Sequence, residues 1–121
     1  MNNVPNKISE EQLAALKTAN PRGIVKRLVG PEAAEDADCD DFIFRVPNRG
    51  DYNSYKVHQK KSLLGQAAPD ATASLARLCL LFPTKDEFDA LREKAPAIVE
   101  DLGEDLVEAA ACGLSVREGK P

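Results

Sequence analysis

The stretch DFIFRVPNRGDYNSY, residues 41–55, contains the change from strand to helix that organises this chain. Its first part is rich in aromatic and β-branched side chains and stops at Pro47, which favours a strand. Asn48 then supplies a helix N-cap, and Asp51 at the third helical position complements the helix dipole. The stretch therefore predicts a strand that leads directly into a helix, with the Arg-Gly-Asp tripeptide in the first helical turn.

The remaining patterns predict an α+β fold that is mostly helical. A capping box at Ser9 opens an N-terminal helix that ends near Ala19. Residues 23–29 and 42–46 form a two-stranded antiparallel hairpin, and a compact array of about four helices follows from Asn48. One of these helices is expected to run from Ala71 to Phe82. The side chains expected to be buried together are Leu75, Leu78, Phe82, Phe88, Leu91, Leu102 and Leu106.

With 121 residues, the chain has the length of a single domain. We expect residues 1–8 to be flexible. The segment 31–40 is acidic and poor in apolar bulk, which indicates a mobile loop. The polar tail over residues 115–121 is expected to fray.

The residues predict no catalytic, cofactor or metal site. Asp36, Asp38 and Asp40 match the first ligand positions of a calcium loop, but Asp41 stands where that loop requires glycine. His58 is the only histidine, so a zinc site with two histidines is excluded. No glycine-rich phosphate-binding motif is present. We therefore expect a protein that is not an enzyme.

The three cysteines and the N-terminal residues indicate the cellular compartment of the protein. Cys39, Cys79 and Cys112 are too widely spaced for a metal motif and odd in number for a disulfide framework. Cys79 and Cys112 lie in apolar runs and are predicted to be small core residues. The first residues lack the apolar core of a signal peptide, and no segment is long and apolar enough to span a membrane. These features predict a cytoplasmic protein and argue against an extracellular adhesion role for the Arg-Gly-Asp tripeptide.

Charge is unevenly distributed along the chain. Residues 31–41 carry only acidic charges, whereas residues 42–65 are basic apart from Asp51. A basic block with two tyrosines is one mark of nucleic-acid binding. The net charge of −4 opposes binding to phosphates. We therefore prefer a protein partner for this block, or pairing with the acidic segments of the same chain.

One longer pattern resembles a known family. Residues 42–47, FIFRVP, lead into a helix carrying Tyr52 and Tyr55, and residues 75–83, LARLCLLFP, precede a short helix and a last helix that ends at Cys112-Gly113. Over about residues 42–114 this order is similar to the small tail assembly chaperones of tailed phages and prophages. The resemblance implies a non-catalytic protein of the bacterial host cytoplasm. Such a protein binds the tape measure or tail tube protein during tail morphogenesis and is absent from the mature virion.

Two alternatives stay open beside this resemblance. The chain could be a small structural subunit, such as a tail-completion protein, or an inhibitor of a host protein. The chain could also associate with further copies of itself. For partner binding we select the start of the long helix, because arginine and amphipathic aromatic residues anchor many interfaces. The candidate residues are Arg45, Arg49, Tyr52, Tyr55 and Lys56. The simpler interpretation is that Tyr52 and Tyr55 pack on the hairpin.

Overall fold

The computed structural model describes residues 4–67 and 70–120. In these ranges the chain forms five α-helices and one three-stranded antiparallel sheet. The elements, in chain order, are α1 (Glu10–Ala19), β1 (Ile24–Val29), β2 (Asp40–Arg45), α2 (Arg49–Leu63), α3 (Ala71–Cys79), β3 (Leu80–Phe82), α4 (Lys85–Lys94) and α5 (Pro96–Ala109). The predicted α+β fold, mostly α, with an N-terminal helix, a hairpin and four further helices, is confirmed.

Local capping explains where the helices begin. The Ser9 hydroxyl accepts a hydrogen bond from the Gln12 N–H, and the Gln12 side chain accepts one from the Ser9 N–H, so both arms of the predicted capping box are present. At α3 the Asp70 carboxylate accepts from the backbone N–H groups of Thr72 and Ala73. Pro96 occupies the first turn of α5, where its missing N–H costs nothing.

Strand β2 is the centre of the sheet, with β1 on one side and β3 on the other. Val25 is paired with Phe44 and Arg27 with Phe42, so alternate residues of β1 and β2 point to the same face. Phe42 and Phe44 lie two residues apart on that face, with ring centroids 6.5 Å apart. This face contributes Phe42 and Phe44 to the main core, whereas Ile43, which is also fully buried, points to the opposite face.

The core joins one face of the sheet to three helices. Helix α3 lies between α2 and α5 and packs against both. The buried residues of this cluster are Val25, Phe42, Phe44, Ala73, Leu75, Ala76, Cys79, Leu80, Phe88, Val99, Leu102 and Leu106. Leu91 and Tyr55 are partly buried against it. The predicted core is therefore confirmed at four of its members, Leu75, Phe88, Leu102 and Leu106.

Three predictions about this region are wrong. Leu78 is 44% exposed and is not a core residue. The predicted helix to Phe82 ends at Cys79, because Leu80–Phe82 pair with β2 as a third strand. Leu80 instead of Leu78 turns inward there, since the change from helix to strand alters which side chains face the core. Cys112, predicted to be buried, is exposed just after α5, whereas Cys79 is buried as expected.

The N-terminal segment is tied to the start of β2. The Asn6 N–H donates to Asp40 at 2.7 Å, and the Ile8 N–H donates to the buried carboxylate of Asp41 at 3.0 Å. Within the predicted acidic loop, Asp36–Asp38 form a short 3₁₀ turn. The flexibility predicted for 1–8, 31–40 and 115–121 stays a prediction, and residues 1–3 and 121 lie outside the described residues.

Candidate partner-binding site

The site predicted from the sequence begins at the junction of β2 and α2. The Arg45 guanidinium donates through Nη1 and Nη2 to the two carboxylate oxygens of Asp51, the second bond being 3.1 Å long. Arg45 also donates to the carbonyl of Leu78 at the end of α3, at 3.3 Å. Asp51 accepts the backbone N–H of Asn48 at 2.9 Å, and Asn48 caps Asp51 in return. The Arg-Gly-Asp tripeptide is thus the first turn of α2, as predicted.

At this junction, hydrogen bonds and the charge of Arg45 oppose the effect of burial on the pKa of Asp51. Burial alone would raise the pKa of Asp51, but the hydrogen bonds from Arg45 and Asn48 and the charge of Arg45 outweigh it, so the pKa lies below its usual value. The hydrogen bond to Asp51 raises the pKa of Arg45. Both groups are therefore charged at neutral pH. The guanidinium of Arg45 is occupied inside the protein, and its contribution to a partner surface is correspondingly small.

Beneath the junction lies the thiol of Cys79. Its Sγ donates to Asp51 Oδ2 at 3.8 Å, and the residue is fully buried. Burial raises the pKa of Cys79 to about 12; the charge of Arg45 opposes this shift, and the charge and hydrogen bond of Asp51 add to it. A thiol in this state is a packing group with a weak hydrogen bond, and it is not a nucleophile at neutral pH.

The two tyrosines lie one turn apart on α2, with ring centroids 5.9 Å apart. Tyr55 packs against the core cluster, and its hydroxyl accepts a hydrogen bond from Gln59 at 3.2 Å. Tyr52 is half-buried and lines an open groove. The simpler interpretation, that Tyr52 and Tyr55 pack on the hairpin, therefore suits Tyr55 better than Tyr52, because the core cluster that Tyr55 contacts includes hairpin residues.

This groove lies between the start of α2 and the end of α5 and has a volume of about 400 Å³. Its charged lining residues are Arg22 and Arg49, and its apolar floor comes from Val107 in the last turn of α5 and from the two alanines that follow this helix. The lining residues are Arg22, Pro47, Asn48, Arg49, Tyr52, Val107, Ala110 and Ala111. Arg22 is held in place because its Nη2 donates to the Pro47 carbonyl at 3.0 Å and to Cys112 Sγ at 3.5 Å. The geometry suits an apolar side chain beside a carboxylate.

The structure separates the five candidate residues. Arg49 and Tyr52 share the groove, whereas Arg45 belongs to the buried junction and Tyr55 to the core side. Lys56 is exposed farther along α2 and donates to Gln59 at 3.4 Å. Sequence reasoning missed Arg22 and the apolar floor, because residues this far apart in the chain show no shared pattern. The only signal in the sequence is the run of alanines over residues 109–111.

No group of three or more His, Cys, Asp and Glu side chains within residues 4–67 and 70–120 is placed to hold a metal ion. Two of the acidic residues considered for calcium have other partners. Asp40 accepts the N–H of Asn6, and the backbone carbonyl of Asp36 accepts from Lys7 Nζ at 2.6 Å. His58 is half-buried on α2. In the same ranges no helix has the length and apolar character needed to cross a membrane.

Comparisons with protein-family models, with curated proteins and with the solved structures gave no match.

Proposed function

We propose that this chain is a non-catalytic tail assembly chaperone that binds the tape measure or tail tube protein of a phage or prophage in the bacterial cytoplasm. The proposal starts from the resemblance over residues 42–114. The observation that supports it most is the groove, because the strand, the Arg-x-Pro turn and the aromatic helix of that segment present Arg49 and Tyr52 opposite α5. A basic, partly apolar groove is suited to protein binding.

The partner segment that fits best is an amphipathic helix with a carboxylate beside its apolar stripe. An aliphatic side chain would lie on the floor made by Val107, Ala110 and Ala111, next to the ring of Tyr52. The carboxylate would meet Arg22 and Arg49, and arginine pairs with carboxylates through two hydrogen bonds. Recognition of a helix in a groove requires no catalytic group. The acidic excess of the whole chain would help keep such a complex dispersed through mutual repulsion.

Co-expression tests this function. A tape measure protein from the same phage is produced with and without the chain, and its soluble and pelleted fractions are compared. We expect soluble tape measure protein, co-purifying with the chain, only in the first case. Mature particles are then examined for the chain by mass spectrometry, and we expect none. Unchanged insolubility, together with the chain in mature particles, would overturn the proposal and favour a structural tail-completion subunit.

A further inference from the structure

Helix α2 has a second exposed surface, on which basic and apolar side chains alternate. We call it the basic face of α2. Val57 is 51% exposed, Leu63 is 83% exposed and Leu64 is 63% exposed, although all three are large aliphatic residues. Three lysines surround them. The basic face of α2 consists of Lys56, Val57, Lys60, Lys61, Leu63 and Leu64.

Helix α5 has an exposed surface of the opposite charge, which we call the acidic face of α5. It consists of Glu100, Asp101, Glu104 and Glu108, and all four are exposed. The neighbouring Asp105 is already paired with Arg27 of β1, at 2.8 Å. The helix contains no basic residue that could neutralise the four carboxylates. They form a stripe of uncompensated negative charge along the helix.

The two faces match in spacing as well as in charge. Lys56, Lys60 and Leu64 follow each other at intervals of four residues, as do Glu100, Glu104 and Glu108. Four residues rise about 6 Å along a helix, so successive side chains of one face would meet successive side chains of the other. Within the parts of the chain that the structure describes, neither the three lysines nor the four carboxylates form an ion pair. Both faces are therefore available.

We propose that two copies of this chain associate through these faces, with the basic face of α2 from one copy packed against the acidic face of α5 from the other. In the proposed two-fold dimer the contact forms twice, with each copy turning both its basic face of α2 and its acidic face of α5 toward the other copy. The apolar side chains Val57 and Leu63 are covered in the contact, and the lysines surround them with charge pairs. This association goes beyond the proposed function, since it requires no tail protein.

A nucleic acid or an anionic membrane is the other conceivable occupant of a basic, partly apolar helix face. The net charge of −4 opposes both, whereas a second copy supplies a carboxylate stripe of the same spacing. The self-association proposal therefore accounts for both faces, while a phosphate surface would leave the acidic face of α5 without a partner.

A charge-swap experiment tests the proposal. One variant carries Lys56→Glu, Lys60→Glu and Lys61→Glu, and the other carries Glu100→Lys, Asp101→Lys and Glu104→Lys. Each variant alone places like charges in both contacts of a dimer and should be monomeric. An equimolar mixture restores opposite charges in both contacts and should dimerise. Masses are measured by light scattering or sedimentation against the 13.1 kDa of one chain.

Salt and folding controls complete the design. The Debye length falls from about 10 Å at 0.1 M salt to about 3 Å at 1 M, which weakens attraction between exposed charges. The dissociation constant of the wild-type dimer should therefore rise about tenfold between these two salt concentrations. Circular dichroism checks that each variant stays folded. Lys→Gln substitutions at the same three positions remove the positive charges without reversing them, and so separate the effect of lost charge from that of repulsion. A second, uncharged test is Leu63→Ser, which should weaken the dimer without changing its salt dependence.

Three results would overturn the proposal. The first is a wild-type chain that stays monomeric in 0.1 M salt at the highest concentration reached. The second is a mixture of the two folded variants that remains monomeric. The third is a monomeric wild type that binds phosphatidylserine vesicles or single-stranded DNA through the three lysines, which would assign the basic face of α2 to a phosphate surface.

Discussion

Arg45 and Asp51 form an ion pair that joins the end of β2 to the first turn of α2, and Arg45 extends the connection to the end of α3 through the carbonyl of Leu78. Asp51 is 6% exposed and the Arg45 side chain is 26% exposed, so the carboxylate is shielded from solvent and the guanidinium is partly shielded. These contacts fix the positions of β2, α2 and α3 relative to one another. This junction determines how α2 presents Arg49 and Tyr52 to the groove.

The first prediction concerns the charge of Asp51. Asp51→Asn should lower the free energy of unfolding at pH 7 by about 1–3 kcal/mol, because Arg45 loses its charged partner. The folded-state pKa of Asp51 is lowered, so its contribution is complete above roughly pH 5 and is lost as the pH falls through the folded pKa. The difference between wild type and variant should therefore shrink below about pH 4. Urea unfolding at several pH values measures it.

Asp38 is exposed and offers a matched control for that series. Within residues 4–67 and 70–120, its side chain accepts no hydrogen bond. Asp38→Asn should change the stability by less than about 0.5 kcal/mol. An Asp51→Asn variant that is as stable as wild type at pH 7, or a difference that stays constant down to pH 3, would contradict the role of the ion pair.

The second prediction separates two leucines of α3. Leu75 is 3% exposed and Leu78 is 44% exposed. Leu75→Ala should cost about 2–5 kcal/mol, because it leaves a cavity in the core. Leu78→Ala should cost less than about 1 kcal/mol, because much of its side chain remains in water. Denaturant melts of the two variants measure the difference. Equal costs would show that α3 is rotated relative to the core.

These two leucines also show which features of α3 can be predicted from the sequence. The hydrophobic pattern predicts the buried helix correctly over residues 71–79 and wrongly beyond them, and capping residues correctly predict where α1 and α2 begin. The pattern cannot separate helix from strand at Leu80–Phe82, because a short apolar run fits both. That region forms a strand because β2 offers a free edge, which is a tertiary property.

The same limit applies to the candidate site. Arg49 and Tyr52 could be selected from residue type, but Arg22 and Val107 reach the groove from distant parts of the chain. Arg45 is selected as a contact residue because the sequence assigns Asp51 only to the helix dipole. The helix position of Asp51 is predicted correctly, but its ion pair with Arg45 is a tertiary contact that the sequence pattern does not show.

The third prediction concerns Gly103, where α5 passes close to α3. A Cβ atom at this position would lie 2.3 Å from the carbonyl oxygen of Thr72, which belongs to the backbone and cannot move aside freely. Gly103→Ala should therefore destabilise the protein by about 1–3 kcal/mol or more, since overpacking forces the helices apart. Thermal unfolding followed by circular dichroism measures it.

Gly50 in the first turn of α2 is the control. A Cβ there meets its nearest neighbour, Asn48 Oδ1, at 3.4 Å, which is ordinary contact. Gly50→Ala should be neutral or stabilise by up to about 1 kcal/mol, since alanine is the better helix former. A Gly103→Ala variant that is as stable as Gly50→Ala would mean that the two helices lie farther apart.

The fourth prediction concerns the cysteines, all three of which are free. Cys112 is exposed, whereas Cys39 and Cys79 are buried. At pH 8 a thiol reagent should label one cysteine rapidly in the native protein and all three after denaturation. Burial, which raises the pKa of Cys79 to about 12, protects that thiol further. Cys112→Ser should remove the rapid phase, and rapid labelling of Cys79 would contradict its placement.

The proposal that the groove binds a tail protein is tested most directly by a groove variant, Arg49→Glu with Tyr52→Ala, in the co-expression experiment. Both side chains line the groove and neither belongs to the buried core, so the variant should remain folded. Lys94→Glu, on the exposed end of α4, is a control away from the groove. We expect wild type and Lys94→Glu to keep the tape measure protein soluble and the folded groove variant to leave it in the pellet. Equal solubility with all three chains, or insolubility with wild type, would contradict the proposed function.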